Sequence, residues 1–86
     1  IDKLNSENSF SLFPNPSTNN FTLQLNPEFK TKNARLEIYN LHGEKVYQQK
    51  IEEQIMNINL DSSEGIYFVH VSNGLQTFTS KIILQH

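Results

Sequence analysis

The side chains able to do chemistry in this chain are few and dispersed. The histidines are His42, His70 and His86. A metal centre needs at least three convergent ligands at workable spacing. The chain has no His-x-His and no His-x-x-x-His, and its carboxylates are spread along its length. Ser62 and Ser63 follow Asp61, but this stretch reads as a turn, and no Gly-x-Ser-x-Gly elbow exists to present a nucleophile. Glu52 and Glu53 are adjacent; in extended chain successive side chains point to opposite faces, so they form a solvated pair and not an acid–base dyad. The glycines, Gly43, Gly65 and Gly74, stand singly in turns, where their use is a backbone with positive φ and not a phosphate cradle. Asn20-Phe21-Thr22 matches the N-glycosylation pattern, yet its Phe belongs to an apolar face and the match is read as incidental. No catalytic residue, no metal ligand and no cofactor is expected, and the chain is not read as an enzyme.

The elements that would carry these residues follow from a period of two, not 3.6. Phe21, Leu23 and Leu25 alternate with Thr22 and Gln24; Ala34, Leu36 and Ile38 alternate with Arg35, Glu37 and Tyr39. Met56, Ile58 and Leu60 repeat the pattern, as do Tyr67, Val69 and Val71, and then Phe78, Ser80, Ile82 and Leu84. Turn residues separate these runs: Pro14-Asn15-Pro16-Ser17, Asn26-Pro27, His42-Gly43-Glu44, Asp61 to Gly65, and Asn73-Gly74, the last a strong hairpin signal. The spacing predicts about seven strands, roughly 9–13, 20–25, 34–41, 45–51, 54–60, 65–72 and 76–84. One apolar face per strand indicates an all-β fold, an Ig-like antiparallel β-sandwich, without the Cys…Trp…Cys pattern of antibody domains. Phased this way, Tyr39, Tyr47 and Phe68 lie off the main apolar faces and could make an aromatic strip for sugar or protein. For Ile66 and Phe68 the favoured reading is a central strand buried on both faces. His70, opposite Tyr67, Val69 and Val71, is expected to be exposed.

Composition narrows the function classes. With 86 residues the chain is one small domain. It has no cysteine, so neither disulfides nor thiolate metal sites contribute. A net charge of −2, with seven scattered Lys and Arg and no basic stripe, argues against nucleic acid. Nothing approaches the roughly 18 consecutive apolar residues of a transmembrane segment. The polar stretch Ile1 to Ser9 reads as a linker remnant that joined the domain to something upstream, with the domain proper at 10–86. The start at Ile1 and the lack of a signal peptide suggest a piece of a longer protein.

Four stretches in order are more informative than any one residue. They are Phe13-Pro14-Asn15-Pro16, then Ile38-Tyr39-Asn40-Leu41-His42-Gly43-Glu44-Lys45-Val46, then Gly65-Ile66-Tyr67-Phe68-Val69-His70-Val71, and finally Lys81-Ile82-Ile83-Leu84. This series resembles the type A C-terminal sorting domain of the type IX (Por) secretion system of Bacteroidota. The resemblance implies an Ig-like sandwich that directs its parent protein across the outer membrane and is then cleaved off by a sortase-like peptidase. Implied partners are the outer-membrane translocon and that peptidase. The implied location is exported: periplasm in transit, then the cell surface or the extracellular space. The motif residues carried over are Phe13, Pro14, Asn15, Pro16, Tyr39, Gly43, Gly65, Tyr67, Val69, Lys81, Ile82, Ile83 and Leu84. Two departures are Phe13, where the family commonly has Tyr, and the end Gln85-His86, where many members end in a basic residue. A receptor could read the last strand by strand addition at its edge, and strand exchange could give a weak dimer. The alternative reading is a carbohydrate- or protein-binding sandwich appended to an extracellular enzyme.

Overall fold

Period-two alternation becomes seven strands: β1 (Phe10–Phe13), β2 (Asn20–Leu25), β3 (Ala34–Tyr39), β4 (Lys45–Ile51), β5 (Ile55–Asn59), β6 (Gly65–Ser72) and β7 (Thr77–Leu84). The computed structural model describes residues 10–86, so the linker expected over 1–9 lies outside the described residues. The strands form two antiparallel sheets, one ordered β1-β2-β5 and the other β4-β3-β6-β7. Strands 1, 2 and 5 against 4, 3, 6 and 7 is the Greek-key division of an Ig-like sandwich, in which the second and fifth strands pair and the third pairs with the sixth.

Each run places its apolar phase inward because the pleat sends alternate side chains to one face. Leu23, Leu36, Ile38, Ile58, Val69, Val71, Ile82 and Leu84 are essentially sealed from solvent. Phe29 joins this core from the connection between β2 and β3, where it meets Phe78 edge-on at 6.1 Å between ring centroids. Nothing periodic marks Phe29 in the sequence, since a loop residue has no alternating neighbours to set its phase. Tyr67 is buried at the start of β6 and its hydroxyl donates to the Ser63 carbonyl at 2.7 Å. A tyrosine in the sixth strand bonding back to backbone a few residues upstream is the tyrosine corner of such sandwiches.

The turns use the residues their geometry requires. Gly43 and Gly74 sit at φ of 85° and 90°, a region that strains any residue with a Cβ. The β6–β7 connection is longer than a two-residue hairpin. Ser72 faces Thr77 across the ladder, leaving residues 73–76 as the loop. Asn73, 6% exposed, organises it: its side-chain oxygen accepts from the amides of Leu75 at 3.0 Å and Gln76 at 2.9 Å, and its amide group donates to the Lys30 carbonyl at 3.1 Å.

Three expectations are corrected. Tyr47 does not share a face with Tyr39 and Phe68. It lies opposite Ile38, in phase with buried Ile51, and packs against the core; the register slips only beyond that pair, between Ile38 and Tyr39, and brings Tyr39 opposite Lys45. Ile66 and Phe68 are half-buried and not sealed, although β6 is an inner strand of its sheet. His70 on the same face is half-buried rather than exposed, its ring edge-on to Tyr39 with centroids 4.9 Å apart.

Candidate functional site

The residues singled out in the sequence divide into three groups. Tyr67, Val69, Ile82 and Leu84 line the interior and shape the sandwich. Gly43 serves a turn at φ of 85°, and Gly65 opens β6 at φ of 150°. The remainder reach the surface at two neighbouring places.

The first place is the outer face of the four-stranded sheet. Tyr39 stands opposite Phe68, and Phe68 opposite Lys81, so one row crosses β3, β6 and β7. Tyr39, Leu41, Phe68 and His70 rim a shallow depression there, together with Asn40 and Gly43 from the adjoining turn. Glu37 anchors one side of the face. Its carboxylate accepts from the Tyr39 hydroxyl at 3.1 Å and from Lys45 Nζ at 3.2 Å, with Arg35 Nε at 4.0 Å. The Lys45 hydrogen bond holds the Glu37 carboxyl below the usual carboxylate range, against the opposing effect of partial burial. The turn itself is tied by Asn40, whose side-chain oxygen accepts from the amides of His42 at 2.9 Å and Glu44 at 3.0 Å.

The second place joins the first and last motifs. After β1 the chain leaves its sheet through Pro14-Asn15-Pro16 and runs along the outer edge of β7. Both X-Pro bonds of this corner are cis. The Asn15 side chain donates to the Lys81 carbonyl at 3.0 Å and accepts from the Ile83 amide at 3.0 Å. Ser17 continues the contact as a parallel bridge beside Leu84. Its amide donates to the Ile83 carbonyl at 2.9 Å, and its carbonyl accepts from the Gln85 amide at 2.8 Å. Beyond this, the His86 amide donates to a Glu64 carboxylate oxygen at 3.1 Å. Four hydrogen bonds thus occupy the outer edge of β7 from Lys81 to Gln85. An edge strand alternates its backbone groups inward and outward. Thr77 and Thr79, in phase with Lys81 and Ile83, therefore turn their amides and carbonyls to the open side. Ser17 is buried, and its hydroxyl has no partner among the described residues.

The sequence shows Phe13 to Pro16 and Lys81 to Leu84 as two separate stretches. The structure makes them one composite surface, with exposed Phe13, Pro14, Asn15 and Pro16 on one side and exposed Lys81 and half-buried Ile83 on the other. Among the described residues no three His, Cys, Asp or Glu side chains gather to hold a metal, and no helix is long and apolar enough to cross a membrane.

Comparisons with known proteins bear on the domain as a whole. The sequence model of the family described as "Secretion system C-terminal sorting domain" matches residues 11–85. An ulvan lyase of Nonlabens ulvanivorans is 32% identical over 79 residues, a match covering 88% of this chain and 14% of the lyase. The chain therefore spans only a small part of that enzyme's length. Among solved structures, PorZ of Porphyromonas gingivalis, an essential bacterial surface component of the type IX secretion system, superposes with a TM-score of 0.72. That superposition covers 90% of this chain and 11% of PorZ at 16% identity, which shows the shared fold.

Proposed function

The chain belongs to the family of secretion-system C-terminal sorting domains, and we propose that it directs a parent protein through the type IX secretion route across the outer membrane. The observation that carries this reading is the family match over residues 11–85, which coincides with the whole described sandwich. The parent passes through the periplasm and reaches the cell surface or the medium. The outer-membrane translocon and a sortase-like peptidase are the proposed partners, the latter cutting upstream of the sandwich. The domain does no chemistry of its own. Supporting this, the ulvan lyase resembles the chain only over a segment that is 14% of the lyase's length, as a tail appended to a larger protein would.

The binding-module alternative needs a continuous aromatic strip. Tyr39 and Phe68 do stand side by side on the outer face, but Tyr47 packs on the opposite side of its sheet. Two rings and a half-buried imidazole make a small platform and not a strip, which favours the sorting reading. The deciding experiment removes Lys81 to His86 from the parent protein in its native host. The expected result is parent protein trapped in the periplasm. Undiminished secretion of the truncated protein would overturn the proposal.

A further inference from the structure

From the contact between Asn15 and the last strand we infer that Asn15 is a positioning residue for sorting: its side chain latches the outer edge of β7, so that Lys81 to Gln85 are presented as a closed edge with ordered side chains. This rests on the sorting reading and specifies which part of the fold it needs.

Asparagine suits the position because the two bonds have opposite polarity. The Lys81 carbonyl needs a donor and the Ile83 amide needs an acceptor, and a single carboxamide supplies both at 3.0 Å each. The spacing is that of a strand edge. Lys81 and Ile83 are two apart, so their backbone groups point the same way, and the side chain of Asn15 takes the place of a neighbouring strand's backbone. Ser17 then supplies true backbone bonds to Ile83 and Gln85, extending the closure by one more step. The contact bridges 68 residues of sequence, from the end of the first strand to the end of the last. The flanking prolines lack amides and cannot compete for the Asn15 oxygen.

Two consequences separate this role from mere stability. A partner strand cannot pair with β7 between Lys81 and Gln85 while Pro14 to Ser17 are in place, so a partner meets this end of β7 through side chains, with Lys81 and Ile83 outward beside Phe68. Loosening the latch also affects only one end of β7. The other end is held by the Asn73 loop, whose bonds involve Leu75, Gln76 and Lys30 and none of these residues.

The test combines amide hydrogen exchange on this chain with secretion of a reporter carrying it, in a bacterium that has the type IX system. In Asn15→Ala the Ile83 amide is expected to exchange at least about fivefold faster, the loss of one hydrogen bond. The Ile38 and Val69 amides should stay protected, and the reporter should accumulate in the periplasm. Asn15→Asp keeps the acceptor for Ile83 and sets a carboxylate oxygen against the Lys81 carbonyl; its Ile83 exchange should fall between wild type and Asn15→Ala. Asn73→Ala, which loosens the opposite end, should leave secretion intact. Unchanged Ile83 exchange in Asn15→Ala would refute the latch. Faster exchange with normal secretion would refute its role in sorting, even if removal of Lys81 to His86 still blocks export and leaves the sorting function standing. Equal secretion loss in Asn73→Ala would reduce the effect to general stability and also overturn the inference.

Discussion

Replacing Asn73 by alanine tests how one buried side chain sets the β6–β7 connection. Three hydrogen bonds leave with it: two accepted from the Leu75 and Gln76 amides and one donated to the Lys30 carbonyl. At about 1 kcal/mol net for each bond the sum is about 3 kcal/mol. Leu75 is 87% exposed, so water can reach its freed amide, and the expected cost falls to about 2 kcal/mol. Asn73→Asp separates the contributions. It keeps both accepted bonds, loses the donation to Lys30 and faces a carboxylate to a carbonyl, so about 1 kcal/mol is expected. Equilibrium urea unfolding measures both. With a slope near 1 kcal/mol per molar for a domain this small, the midpoint should drop by about 2 M for alanine and about 1 M for aspartate, at unchanged slope. Equal shifts for the two variants would show that the bonds accepted from the Leu75 and Gln76 amides carry nothing and that the bridge to Lys30 carries the whole effect. A shift below about 0.5 M for alanine would show that the loop does not depend on Asn73 at all.

Three further outcomes follow from single contacts. Tyr67→Phe keeps the buried ring and removes the 2.7 Å bond to Ser63, so it should lower the melting temperature by about 4–8 °C, the shift for about 1 kcal/mol in a domain of this size; an unchanged melting curve would deny the tyrosine corner any energetic role. Ser17→Ala removes a buried hydroxyl that has no partner among the described residues and should leave stability within about 0.5 kcal/mol of wild type or raise it, since burying an unpaired polar group is unfavourable; a clear loss in denaturant unfolding would reveal a partner for that hydroxyl. Glu37 has a folded-state value below the ordinary glutamate value of about 4.3, so its contribution is present above that pH and is lost as pH falls through the lower folded value. Glu37→Gln should therefore be less stable than wild type at neutral pH and show a shallower loss of stability on acidification; parallel pH profiles would rule out the Lys45–Glu37 contact as a contributor.

The strand layout was legible because each run alternates cleanly and ends in turn chemistry. Every expected strand is present, with ends displaced by at most about two residues, the usual uncertainty of element boundaries. The failures have local causes. In Lys45 to Ile51 the apolar residues Val46, Tyr47 and Ile51 do not agree on one phase, so alternation could not assign Tyr47 to a face. The pairing of Tyr47 opposite Ile38, in register with Ile51 opposite Ala34, decides it. For Ile66, Phe68 and His70, a strand's inner place in its sheet does not reveal whether its second face is covered. Asn73-Gly74 was correctly seen as a turn, but its length and the reach of Asn73 to Lys30 depend on a loop 43 residues away in sequence. The candidate surface was legible only as two motifs, with no sign that they touch.

What the sequence determined by itself is local. Period-two patterning sets which side chains face inward, and proline, glycine and asparagine set where the chain reverses, because both effects act between near neighbours. The ordered motifs also identify the family, as the match over residues 11–85 shows. Only the tertiary structure decided that the first corner closes the edge of the last strand. Asn15 bonds to Lys81 and Ile83 through polarity and spacing that exist only once two sheets have packed and brought residues 66 and 68 apart to 3.0 Å. No pattern in either segment encodes that partner, because a carboxamide's hydrogen bonds are specified by position in space and not by neighbours in the chain.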